Sequence, residues 1–135
     1  MPPILHRPGA LEGSPRSHAF LPADPRGWRS VAVTEWELTG EEWVDRHPHD
    51  EVNYVLEGTL VVECDGETVE APRGSVVHVP AGSTGRYRAP VHARMLAIYG
   101  PNPTGAPTEV GGLRRLQPEQ RCGSTGSSTP PASSA

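Results

Sequence analysis

Between His47 and Val79 the chain is cut into short β-forming runs, each closed by a turn residue. Tyr54-Val55-Leu56 runs into Glu57-Gly58, and Leu60 to Cys64 runs into Asp65-Gly66. Glu67 to Ala71 meets Pro72-Arg73-Gly74, and Ser75 to Val79 meets Pro80-Ala81-Gly82. A long helix has no room between such breaks. Many short strands joined by turns make a sandwich or a barrel. Asp65-Gly66 is the strongest local signal, because a two-residue hairpin wants φ > 0 at both central positions.

The same alternation extends outward. Trp28 to Leu38 forms a strand of mixed pattern, with Ala32, Thr34, Trp36 and Leu38 on the core face and Val31, Val33, Glu35 and Glu37 on the other, where the two glutamates are read as solvated. Glu41 to Arg46 leads into the histidines, and Val52 to Leu56 is strand. Arg86 to Arg88 is a further short strand. Ala93 to Tyr99, apolar on both faces, is a central one.

The 16 prolines and 15 glycines among 135 residues are unevenly placed and bound this region. Residues 1–26 carry six prolines' worth of fixed φ, at Pro2, Pro3, Pro8, Pro15, Pro22 and Pro25, and read as an extended lead-in. Residues 27–100 hold the barrel. Residues 101–135 form a tail, mostly disordered, rich in Ser, Gly and Pro, with Leu113 and Leu116 able to dock as a short turn.

All twelve basic residues are arginine. Without lysine there is no Schiff-base nucleophile and no Walker-type phosphate loop. Formal net charge is −4 with no basic block, which argues against nucleic acid. Cys64 and Cys122 are too differently placed to pair, which suits a reducing compartment. No leader pattern or membrane-spanning apolar run is evident, and the expectation is a cytoplasmic protein.

Two segments carry a resemblance. Asp50 to Gly58 and Gly74 to Gly82 match, in order and spacing, the two motifs of a small single-domain cupin, over about Trp28 to Tyr99. The resemblance implies an all-β double-stranded jelly-roll barrel. Its metal-binding motif is degenerate here. The motif's glutamate falls on Glu51 and its second histidine on His47. Its first histidine falls on Asp45, its last on Gly85, and its asparagine on Ala89.

The resemblance thus implies a divalent metal (Fe, Mn, Zn or Ni) on Asp45, His47 and Glu51, with His49 as auxiliary ligand or base. A shifted set of His47, His49 and Glu51 stays open, since Pro48 implies an edge or bend at which the two rings could converge. Catalytic candidates are His47, Glu51 and His49. Asn53, His78, Tyr87 and Arg86 are candidates for contacting a ligand, with His78 facing the cavity and Tyr87 at its mouth. Arg86, Arg88 and Arg94 could clamp a carboxylate or form surface ion pairs. Tyr54 packs outward and His92 is solvent-exposed in a turn.

Three functions fit. The first is a small biosynthetic-type isomerase, cyclase or oxygenase with an atypical metal site. The second is a metal-free cyclase or isomerase of a biosynthetic pathway using His47 and Glu51, with His78 as a further candidate, as acid and base. The third is a binding or sensing module for a small molecule. A homodimer is expected, because small jelly rolls leave edge strands to cover.

Overall fold

One strand belongs to two layers at once and sets the architecture of the protein. The computed structural model describes residues 1–117. In chain order its strands are β1 (Arg16–Leu21), β2 (Ala32–Leu38), β3 (Glu41–Arg46), β4 (Glu51–Cys64), β5 (Glu67–Pro72), β6 (Val76–Val79), β7 (Thr84–Ala89), β8 (Ala93–Tyr99) and β9 (Glu109–Arg115). There is no helix among the described residues, and so none long and apolar enough to cross a membrane.

The first half of β4 pairs with β8 and β6, and its second half pairs with β5 and β7. One layer therefore runs β1-β2-β8-β4-β6 and the other β5-β4-β7-β3-β9, all antiparallel. This is the jelly-roll arrangement that the motifs implied. The expected turn at Glu57-Gly58 is instead a bend within β4. The register shifts between Val55 and Glu57, and Gly58 takes φ 73°. A β-carbon at Gly58 would overlap the His92 carbonyl oxygen, so the strand crosses between layers only where a side chain is absent. Asp65 (φ 53°) and Gly66 (φ 80°) form the expected tight hairpin between β4 and β5.

The core lies between the layers. Leu38, Val55, Leu60 and Met95 are fully buried, with Trp36, Val62 and Tyr87 beside them. Each such side chain contributes ~1.5–3 kcal/mol on burial. Ala32, Trp36 and Leu38 share the inner face of β2 as expected, and β8 lies centrally between β2 and β4.

Two strands lie outside residues 27–100. β1 arises from the proline-rich lead-in and pairs with β2, while β9 arises from the tail and pairs with β3. Both join by main-chain hydrogen bonds at a sheet edge, a pairing that needs no apolar alternation. Leu113 packs against the core and Leu116 is buried, so both leucines dock as expected, but Leu113 does so from strand β9 rather than from a short turn. The rest of the tail, with Cys122, lies outside the described residues.

The outer face of β2 is not simply solvated. Glu35 is only 6% exposed because Arg94 of β8 lies over it in an ion pair. Glu37 binds Arg16 at 2.7 Å and His92 at 3.3 Å, so His92 is half-buried rather than free in its turn.

Candidate functional site

The connection from β3 to β4 carries the chemistry. Asp45 ends the inward face of β3, and Glu51 opens the inward face of β4. The intervening loop is pinned three times by main-chain donors. The Gly82 amide donates to the His47 carbonyl at 2.8 Å, the Ala81 amide to Asp50 Oδ1 at 2.8 Å, and the Gly100 amide to the Asp50 carbonyl at 3.1 Å. The Pro80-Ala81-Gly82 turn therefore helps to position the histidine.

His47 Nε2 lies 3.1 Å from Asp45 Oδ2 and 3.5 Å from Glu51 Oε1, without hydrogen-bond alignment on either. The three residues each bring one ligand atom to within 4.8 Å of the others. Both His47 Nε2 and Asp45 Oδ1 are buried without a hydrogen-bond partner. Three further atoms of the trio are engaged. Trp43 Nε1 donates to Asp45 Oδ2 at 2.7 Å, and the Tyr87 hydroxyl donates to Glu51 Oε1 at 2.6 Å. His47 Nδ1 contacts Thr108 Oγ1 at 2.7 Å.

Burial pulls the His47 pKa down, but the adjoining carboxylates of Asp45 and Glu51 outweigh it and push it up to about 10. His49 moves the other way, lowered first by burial and further by the charge on His47. Its Nδ1 contacts the Asp50 carbonyl at 3.2 Å; since a carbonyl only accepts, Nδ1 carries the proton and Nε2 the lone pair. The Tyr87 phenol is held far above its ordinary pKa by burial and by the charge of Glu51, so it remains a donor.

The trio lies in the wall of a cavity of about 530 Å³. Trp28, Trp36, Trp43, Tyr99 and His49 supply its other rings. His47 stacks on His49 (centroids 4.6 Å apart, planes at 21°), and Tyr99 stacks on His49 at 5.3 Å. Trp28 meets His49 edge-on at 5.4 Å. The rim comes from the two segments read as lead-in and tail. Trp28 and Asn102 exchange main-chain hydrogen bonds at 2.9 Å, and Asn102 ties off its own loop through Ala106 at 2.8 and 3.2 Å.

The candidates therefore sort by position. Asp45, His47 and Glu51 converge. His49 stacks on His47, and the ligand atoms that lie within 4.8 Å of one another are those of Asp45, His47 and Glu51. Asn53 is fully buried behind the cavity, accepting a hydrogen bond from Trp36 Nε1 at 2.7 Å. Tyr87 lies beneath Glu51 rather than at the mouth. His78 and Arg86 are corrected. On β6 the inward residues are Val77 and Val79, which turns His78 outward to Asp50 at 3.5 Å. On β7 the inward residues are Gly85, Tyr87 and Ala89, which turns Arg86 outward to Glu42 at 3.1 Å.

Sequence reasoning missed Trp43, Tyr99, Trp28 and Thr108 as site residues. Trp43 was within reach, because it shares strand parity with Asp45. Thr108 had no local signal at all.

The model for the Cupin domain matches residues 33–99. This chain belongs to the cupin family. An uncharacterized protein of Streptomyces coelicolor, SCO3923, is 36% identical to this cupin over 76 residues, covering 54% of this chain and 72% of that one. Acetate kinase EutQ of Clostridioides difficile is 36% identical over 69 residues, covering 51% of this chain and 43% of that protein. The chain thus spans under half the length of that relative. Among solved structures, KdgF from Halomonas sp. superposes with a TM-score of 0.57 at 17% identity, covering 69% of this chain and 87% of that one, a likeness of fold.

Proposed function

We propose that this cupin holds a divalent cation on Asp45, His47 and Glu51 and acts on a small organic molecule in the adjoining cavity, as a small isomerase, cyclase or oxygenase. The observation that carries this reading is the convergence of one ligand atom each from Asp45, His47 and Glu51 within 4.8 Å, at a place where the buried His47 Nε2 and Asp45 Oδ1 make no hydrogen bond. Buried polar atoms are normally satisfied, and a cation would satisfy both. Two carboxylates and one imidazole suit Fe²⁺ or Mn²⁺, and Zn²⁺ or Ni²⁺ can use the same atoms. Three protein ligands also leave room for substrate.

A cation bound there supplies Lewis acidity to a substrate oxygen. The chain's own residues do the remaining work. Thr108 at Nδ1 orients the His47 ring, and the Tyr87 hydroxyl orients Glu51. The rings of Trp28, Trp43 and Tyr99 hold a flat substrate, and the rim segments limit water. His49, neutral and stacked on His47, offers Nε2 as a proton acceptor. The kinase activity in the EutQ name is not part of this proposal.

The test is metal content after purification without a His tag, followed by thermal shift with Mn²⁺, Fe²⁺, Zn²⁺ and Ni²⁺. Stabilisation lost in His47→Ala and kept in His92→Ala supports the site. No metal-dependent shift in the unaltered chain contradicts it. A metal-free acid–base enzyme is the second reading, favoured by the 3.1 Å approach of His47 to Asp45. Turnover that survives chelation would select it. Ligand-dependent stability without turnover would select a binding or sensing module.

A further inference from the structure

All three tryptophans of the chain, Trp28, Trp36 and Trp43, line the same cavity. Its lining also contains three carboxylates, Asp24, Asp45 and Glu51, and no arginine among the described residues. Several guanidiniums are committed elsewhere. Arg86 and Arg114 bind Glu42, and Arg94 binds Glu35, all on outer faces of the sheets. Arg26 holds Asp24 from the solvent side, with its side chain 89% exposed.

We infer that the cavity takes an uncharged or cationic ring-bearing molecule and rejects organic carboxylates and phosphates. The inference rests on the small-molecule reading above and names its substrate class. Among the described residues the cavity lining offers an entering anion no guanidinium, while it offers an entering cation carboxylate oxygens and indole faces. An entering carboxylate would shed its hydration with no guanidinium to replace it. An ammonium would meet carboxylates and the electron-rich faces of the indoles. Asp45 adds a separate sign of an absent polar partner: it is 6% exposed, and its Oδ1 is buried and unsatisfied.

Benzylamine, benzyl alcohol and benzoate share a ring and differ in charge, and they make the test. Each is titrated into the full chain after dialysis against EDTA, at neutral pH and low salt. The readout is tryptophan emission, which comes entirely from indoles lining the cavity. The benzylammonium ion binds at least about 10-fold more tightly than benzoate, with benzyl alcohol between, and the gap shrinks as salt is added. Asp45→Asn narrows the gap. Benzoate binding as tightly as the amine, a gap unchanged in Asp45→Asn, or no response to any of the three would overturn the inference. A parallel Zn²⁺ titration separates the two ideas. Zn²⁺ binding with the charge order reversed removes this inference alone. No Zn²⁺ binding with the order intact removes the metal reading alone.

Discussion

Thr108 Oγ1 lies 2.7 Å from His47 Nδ1, across 61 residues of sequence. The contact joins a rim segment to the centre of the site and sets which imidazole nitrogen faces Asp45 and Glu51. Thr108→Val keeps the shape and removes the hydroxyl. It should weaken Zn²⁺ affinity by about 10-fold, the usual scale for a partner of a ligating histidine. Calorimetric titration checks this, with an unchanged melting temperature showing that the fold is intact.

Proton release gives a second test. His47, with its pKa pushed up to about 10, is protonated at neutral pH in the metal-free chain. A ligating Nε2 must be deprotonated, so metal binding releases a proton and affinity rises with pH until about 10. Titrations in buffers of different ionisation enthalpy should report close to one proton released at pH 7, and none in His47→Gln.

The same group ties stability to pH. Its folded-state pKa lies above the ordinary histidine value of 6.5. Its stabilisation of the metal-free chain is therefore fully present below about 6.5 and is lost as pH rises through about 10. Urea midpoints of chelated protein should fall between pH 7 and 10, and His47→Gln should flatten that part of the profile.

Gly85 and Tyr87 share the inner face of β7 and compete for one space. A β-carbon at Gly85 would come within 2.8 Å of the Tyr87 ring and hydroxyl. Tyr87 is 1% exposed and its ring is packed on Trp36, so it has nowhere to go. Gly85→Ala should destabilise by about 1–3 kcal/mol. In a Tyr87→Leu background the added loss should nearly vanish, a coupling that urea denaturation of the double-mutant cycle measures.

Gly58 and Gly66 both have positive φ, at 73° and 80°. Only Gly58 also faces an obstruction, the His92 carbonyl, whereas a β-carbon at Gly66 meets open space. Gly66→Ala should lose about 1 kcal/mol from backbone strain alone, and Gly58→Ala should lose clearly more. Equal urea midpoints for the two variants would contradict the crossing of β4 between layers.

The barrel was legible because its signals are local. Asp65-Gly66 marks its own hairpin, and the two motif segments lie within single strands and their turns. The set Asp45, His47 and Glu51 was implied by the resemblance of one strand-loop-strand unit to the cupin motif. The parity of β6 and β7 was not legible: His78 interrupts a valine run, yet Val77 and Val79 take the inner face. Nor was the rim. β1 and β9 join edges through their backbones, and Thr108 reaches His47 only once the sheet is closed. Glu35 misled for a related reason, since its cover, Arg94, comes from a different strand.

The most direct measurement is anomalous scattering from crystals of the full chain grown with Mn²⁺. The account requires a peak about 2.0–2.3 Å from His47 Nε2 and from one carboxylate oxygen each of Asp45 and Glu51. Crystals grown with saturating Mn²⁺ that show no peak among these three side chains, or a peak only at His49 or His78, would contradict it.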